Sequence, residues 1–188
     1  MPDETSSPPV ALWPTLEWGE PTDYHVFTVT AVQRRSPRTD KVGTYQVLGA
    51  PDWVNVVART PDGQIVLIEQ YRHGIDGLTL EIPGGMVERG ENAGAAGARE
   101  LEEETGYVGD PPVLLGRVHP NPAIQVNTCY TYLIDNATPK GAMQWDDGED
   151  IRVLTVPETE IHDLIRRGAI THSLVVAALF WLDLQRDP

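Results

Sequence analysis

Apolar and polar residues alternate over residues 24–34, where His25, Phe27, Val29 and Ala31 share one side, and the pattern predicts a strand. A polar, basic turn at 36–43 separates it from a short strand at 44–48. Residues 53–59 and 64–71 flank Thr60, Pro61, Asp62 and Gly63, which predicts a hairpin. Val54, Val56, Val57 and the run Ile65, Val66, Leu67, Ile68 make both strands apolar on both faces, as central strands are. Further strands are expected at 78–82, 113–118, 128–134 and 151–156. Between the first and second of these, alanines at 93–98 lead into a charged run that closes at Gly106, the signature of a helix. Two more helices are expected, at 158–167 with Gly168 as its stop, and at 173–185 with Thr171 or Ser173 as its cap. Residues 1–22, rich in Pro, Ser, Thr and Glu around Trp13 and Trp18, predict an irregular arm, leaving 23–188 as one domain. Strands gathered around one helix, with helices at the end, are what an α/β/α sandwich with a mixed β-sheet requires.

Charge narrows the possible partners. The chain of 188 residues carries a formal net charge of −14, the opposite of what nucleic-acid backbones attract. The same acidity repels a diphosphate unless divalent cations intervene. One cysteine, Cys129, excludes an intrachain disulfide and fits a reducing cytoplasm. The N-terminus has no apolar core of a signal peptide, and the apolar run at 174–182 is too short to span a bilayer, so no membrane partner is expected.

The chemistry concentrates in residues 84–107. In a helix Glu100, Glu103 and Glu104 stand at i, i+3 and i+4, so their carboxylates share one face, while Ala95, Ala98 and Leu101 fall on another that can meet a core. A solvated acidic face is the plainer reading of such a run. It leaves the preceding Pro83, Gly84, Gly85 and Gly90 without a purpose, whereas tight or positive-φ backbone there can aim amides or carbonyls at an ion or phosphate. Hard divalent cations such as Mg²⁺ or Mn²⁺ take oxygen ligands of this kind and bind substrate phosphates. A water-orienting base has to come from elsewhere, and the acidic loop Asp146, Asp147, Gly148, Glu149, Asp150 is the best source.

Gly85, five residues, Glu91, seven residues, Arg99-Glu100-Leu101, one residue, Glu103-Glu104, one residue, Gly106 and Tyr107 fill a pattern that resembles the Nudix box of the Nudix hydrolases. The departure is Tyr107, where an aliphatic residue is usual. The resemblance covers residues 24–185 and implies the Nudix fold, with its loop and helix set in the α/β/α sandwich. It implies Glu100 and Glu104 as principal metal ligands, Glu103 nearby and the Gly84 carbonyl completing the shell. Glu103 and Glu104 join Glu149 as the residues expected to carry the reaction, since Glu149 lies in a Glu-Asp-Ile-Arg context like that of the catalytic loop of ADP-ribose pyrophosphatases. Glu91 and Arg99 are implied to be an ion pair holding loop to helix, and Glu102 to face away.

The runs Asp52-Trp53-Val54-Asn55-Val56, Glu69-Gln70-Tyr71-Arg72 and Leu80-Glu81-Ile82-Pro83-Gly84-Gly85 are similar to the ADP-ribose and nucleoside-diphosphate-sugar branch. That branch implies Arg72 as a phosphate clamp, Trp53 as a stacking surface for a base and Pro122 in the loop after the box. The implied reaction is Mg²⁺-dependent hydrolysis of a nucleoside diphosphate sugar to a nucleoside monophosphate and a sugar phosphate, by a cytoplasmic homodimer. The alternatives are hydrolysis of damaged nucleoside triphosphates or dinucleoside polyphosphates, and a catalytically silent nucleotide-sugar-binding module.

Overall fold

In a computed structural model the described residues are 9–145, 148 and 150–185. They divide into two compact units: Met1–Ala50 with Asn121–Val126, and Pro51–Pro120 with Asn127–Pro188.

The smaller unit is a sheet of four antiparallel strands, β1 (Thr15–Trp18), β2 (Thr22–Asp23), β3 (Thr28–Arg35) and β4 (Val42–Gly49), with β3 paired to the other three. The strand expected at 24–34 starts later, because the chain turns at His25, whose φ is 68° and whose N–H donates to Asp23. Within the stretch expected to be irregular, Thr15, Leu16, Glu17 and Trp18 form β1, with the alternation and bulk of strand formers. Trp13 meets Tyr45 edge to face at 5.9 Å between ring centres. The segment Asn121–Val126 is tied to β4 by hydrogen bonds between Leu48 and both Ile124 and Val126.

The larger unit holds β5 (Trp53–Ala58), β6 (Gln64–Arg72), β7 (Gly77–Glu81), β8 (Gly84–Met86), α1 (Ala93–Thr105), β9 (Tyr107–Val108), β10 (Val113–Val118), β11 (Cys129–Ile134), β12 (Thr138–Pro139), β13 (Ile151–Pro157), α2 (Ile161–Arg166) and α3 (Ser173–Asp183). One sheet runs β10-β11-β5-β8 and another β13-β6-β7, with β5 parallel to β11, so the strands are mixed as expected. The expected hairpin is not one. The turn closes, with Thr60 N–H on Gln64 O and a bridge between Arg59 and Ile65, but β5 and β6 then part into different sheets. Both are apolar on both faces, so neither is confined to its neighbour in sequence. Each pairs instead with strands that complete a covered sheet.

Two cores lie on the two faces. Val54, Val56, Ala58 and Val66 pack with Ala96 and Leu101 of α1. Val57, Ile65 and Leu67 pack with α2 and α3 through Ile161, Leu164, Val175 and Leu179. This is the sandwich expected. The buried face of α1 runs through Gly94, Ala96, Gly97 and Leu101, and the expected core residue Ala95 is exposed. A Cβ on Gly97 would lie 3.0 Å from Val56, so the glycines bring the helix close to β5. The helix expected at 158–167 opens as a 3-10 turn, Glu158–Glu160, before α2, and the cap of α3 is His172, whose Nδ1 accepts from Leu174 N–H at 3.2 Å. None of the helices is long and apolar enough to cross a membrane among the described residues.

Candidate active site

The larger unit contains a cavity of about 480 Å³ whose walls include Trp53, Gln70, Arg72, Gly84, Gly85, Glu100, Glu103, Glu104 and Trp145. Helix α1 and strand β8 supply its floor. Asn92 starts α1, its Oδ1 accepting from the N–H groups of Gly94 and Ala95. Gly106 ends it, in the left-handed region at φ 68°.

Strand β8 replaces the flexible glycine loop expected from the sequence. Gly84 and Gly85 pair with Asn55 and Val54 of β5, and neither has a positive φ; in this stretch only Gly90 does, at 86°. Their glycines serve close approach. A Cβ on Gly84 would fall 2.3 Å from Val54 O, and one on Gly85 would fall 2.3 Å from the Glu100 carboxyl carbon. The bare Gly85 backbone therefore gives the Glu100 carboxylate its place.

Glu104 is 4% exposed, and its carboxylate accepts the Gly84 N–H at 2.9 Å. Arg99 Nη1 donates to Glu100 at 3.0 Å and to Glu103 at 2.8 Å, its Nε and Nη2 donate to Glu91 at 3.1 and 3.2 Å, and Nη2 also reaches Met86 O. The Glu91–Arg99 pair implied by the resemblance is thus present within a larger network. Hydrogen bonding to Glu91 leads in raising the Arg99 pKa above its ordinary value, and the bond from Arg99 leads in holding the Glu91 carboxyl below its own. Glu102 lies against Gly141 rather than along the cavity.

Among the described residues no three His, Cys, Asp or Glu side chains gather with the spacing of metal ligands. The donor chemistry nevertheless suits a hard cation: three carboxylates line one cavity, every candidate donor is oxygen, and the side-chain-free surface at Gly85 keeps the Glu100 carboxylate against the backbone.

Arg72 lines the same cavity and is gripped by Glu81, Nε to Oε1 and Nη2 to Oε2, both at 2.8 Å. Glu81 is 3% exposed and also accepts from Thr79 Oγ1 at 2.5 Å. Burial pushes its carboxyl up, but the bonds from Arg72 and Thr79 and the charges of Arg72 and His172 outweigh this and hold it below the usual glutamate range. Glu81 and Thr79 share one face of β7, and an ionisable residue on the buried face of a strand is the signal by which the sequence exposes this pair.

Trp53 lines the cavity with its Nε1–H on Asn55 Oδ1 at 3.1 Å, and Asn55 in turn donates to Leu174 O at the start of α3. Pro122 belongs to the smaller unit, where it borders a hollow with Trp13 and Tyr45. Glu149, with Asp146 and Asp147, lies outside the described residues. Two wall residues went unnoticed in the sequence. Gln144 N–H donates to Glu103 O at 2.9 Å and Trp145 Nε1–H to Glu104 O at 3.0 Å, so both satisfy carbonyls at the C-terminal end of α1.

Comparison with known proteins follows the same outline. The NUDIX domain matches residues 51–179. A methanol dehydrogenase activator of Bacillus methanolicus is 30% identical over 141 residues, covering 74% of this chain and 76% of its own. An ADP-ribose pyrophosphatase of Bacillus subtilis (strain 168) is 25% identical over 146 residues, covering 77% and 79%. A solved structure of an ADP compounds hydrolase superimposes with a TM-score of 0.84 over 95% of this chain and 96% of that one, and at 21% identity this likeness is one of fold.

Proposed function

We propose, from the premise that this chain belongs to the Nudix family, that it hydrolyses the diphosphate linkage of ADP-ribose or a related nucleoside diphosphate sugar. The products are a nucleoside monophosphate and a sugar phosphate. The observation that carries the reading is the carboxylate row of α1 laid against the backbone of Gly84 and Gly85 in a cavity that also presents a fixed arginine.

Nudix hydrolases generally use divalent metal ions, and Mg²⁺, with Mn²⁺ as a substitute, is the cation we assign here. Glu100, Glu103, Glu104 and the Gly84 carbonyl would hold it. When bound it supplies a polarised phosphoryl oxygen, a more acidic water and a neutralised leaving group. The chain's own residues bind and orient. Arg72 is the assigned phosphate clamp, and Glu81 fixes its plane, since two parallel bonds leave the fork little rotational freedom. Trp53 offers a face to the base. Glu149 is the assigned water-orienting base.

We also assign a homodimer in a reducing cytoplasm. Trp18 and Val26 are more than half exposed in the smaller unit, apolar area that a second copy would cover. Cys129 is buried, and burial pushes its thiol pKa up to about 12, so it is kept protonated. Light scattering tests the dimer.

The decisive experiment is product analysis across ADP-ribose, other nucleoside diphosphate sugars, nucleoside triphosphates and dinucleoside polyphosphates, each with Mg²⁺ and with Mn²⁺. Release of a monophosphate and a sugar phosphate, fastest with the first two classes, is expected. Faster turnover of the last two, or none at all, would overturn the assignment.

A further inference from the structure

Strand β5 is apolar at Val54, Val56, Val57 and Ala58, all fully buried, and is interrupted by one amide, Asn55, which is 3% exposed. Packing between β5 and α3 runs through Val57, Val175 and Leu179 and does not call for a polar residue at 55. A buried amide is costly unless its polar ends find partners, and here both do. Asn55 Oδ1 accepts the Trp53 Nε1–H at 3.1 Å, and Asn55 Nδ2 donates to Leu174 O at 3.1 Å. An indole N–H only donates and a carbonyl only accepts, so the amide fits one way round. Aspartate would set an acceptor against Leu174 O, and a serine hydroxyl, one bond shorter, would not bridge the two partners.

Each neighbour of this amide is itself held. Leu174 lies in the first turn of α3, with its N–H on His172 Nδ1 at 3.2 Å. On the other side, a Cβ on Gly84 would come within 2.9 Å of Asn55 Oδ1, so the amide has little room to swing. Gly84 pairs with Asn55 across β8 and β5 and gives its N–H to Glu104. The one polar atom of the Trp53 indole, a wall of the cavity, is therefore fixed at once to the start of α3 and to the carboxylate row.

On the reading that this chain hydrolyses nucleoside diphosphate sugars, we infer that Asn55 is a positioning residue that holds the Trp53 indole against α3, so that a fixed aromatic face meets one half of the substrate. Asn55 acts through Trp53 and does not itself touch the substrate. How tightly that half binds is then set from behind the cavity wall, by α3 rather than by α1.

The test uses the full chain with Asn55→Ala, Trp53→Phe and the two together. It reads kcat and KM for ADP-ribose, inhibition by AMP and by ribose 5-phosphate, and the melting curve. Trp53→Phe keeps a ring and loses the N–H, so it marks which inhibitor depends on a held indole. Asn55→Ala is expected to weaken that same inhibitor and to raise KM roughly threefold to tenfold, the scale of one hydrogen bond, with kcat falling much less. In the double variant the second change is expected to add little to KM, because the bond is already gone. Additive KM losses would make Asn55 a packing residue and overturn the inference. So would a lowered melting temperature with unchanged KM, or weakening of the inhibitor that Trp53→Phe spares. If Asn55→Ala fails to melt cooperatively, Trp53→Phe decides alone: a raised KM with one inhibitor weakened supports the inference, and wild-type values for both inhibitors refute it. Wild type that cleaves no nucleoside diphosphate sugar sinks the functional reading and this inference together, whereas cleavage with a KM indifferent to Asn55 sinks this inference alone.

Discussion

Adding one methyl group at Gly85 and at Gly84 should separate catalysis from stability. In Gly85→Ala the new Cβ falls 2.3 Å from the Glu100 carboxyl carbon, where carbon contacts sit at about 3.5–4 Å. The carboxylate is the end of a flexible side chain, so it retreats by more than about 1 Å and the fold survives, and a misplacement of that size at a reacting centre costs roughly a hundredfold in rate. Stability changes little, because Arg99 keeps Glu91, Glu103 and Met86 O as partners when Glu100 moves. The lost ion pair is worth less than about 1 kcal/mol, or roughly 2–4 °C in a chain of this size. Gly84→Ala behaves differently. Its Cβ would lie 2.3 Å from Val54 O and 3.1 Å from Asn55 Cα, backbone atoms of a central strand that cannot yield cheaply. Overpacking of this kind costs about 1–3 kcal/mol, a fall of roughly 3–10 °C. The assay is a melting curve for each variant beside its rate of ADP-ribose hydrolysis with Mg²⁺. A Gly85→Ala enzyme with wild-type turnover, or two variants equally destabilised, would refute the reasoning.

Glu104→Gln keeps the acceptor for Gly84 N–H and removes the charge, so turnover should fall by orders of magnitude with the melting temperature nearly unchanged; near-normal activity would contradict its assigned role. Glu81→Gln should raise KM for ADP-ribose by loosening Arg72, and unaltered kinetics would mean that Arg72 needs no support. The folded Glu81 carboxyl stays charged at lower pH than an unfolded glutamate, which titrates near about 4.3. Its stabilisation is therefore complete above that pH and is lost as pH falls through the lower folded-state value. The acid limb of melting temperature against pH should accordingly be shallower in Glu81→Gln, and superimposable limbs would remove Glu81 from the account. Mg²⁺ at ten times its Kd adds about 1.4 kcal/mol to the native state, roughly 3–6 °C, and a melting curve indifferent to Mg²⁺ would argue against a cation site.

The sequence exposed features that depend on short spacing and concealed those that depend on distant partners. Glu100, Glu103 and Glu104 line one cavity because helical periodicity puts them on one face, and that follows from spacing alone. Val54, Val56 and Val57 are apolar on both sides of a strand and do separate two cores. The same feature misled the reading of the hairpin, because a strand apolar on both faces does not specify its neighbour, and β5 found β11 far along the chain. Gly94 and Gly97 were overlooked as a packing face because they have no side chain, although absence of a side chain is what lets α1 approach β5. Glu81 and Trp145 were missed as site residues for a related reason: their partners, Arg72 and the Glu104 carbonyl, are fixed by sheet register and by the return of the chain to α1.

Arg99 has a consequence for how this acidic chain comes to fold. With a guanidinium already bonded to Glu91, Glu100 and Glu103, the newly made polypeptide carries its own counter-ion inside its most crowded patch of negative charge. Collapse of α1 onto the sheet then need not wait for an external cation, and on the proposed function loading one would be an exchange in which Glu100 and Glu103 trade one positive partner for another.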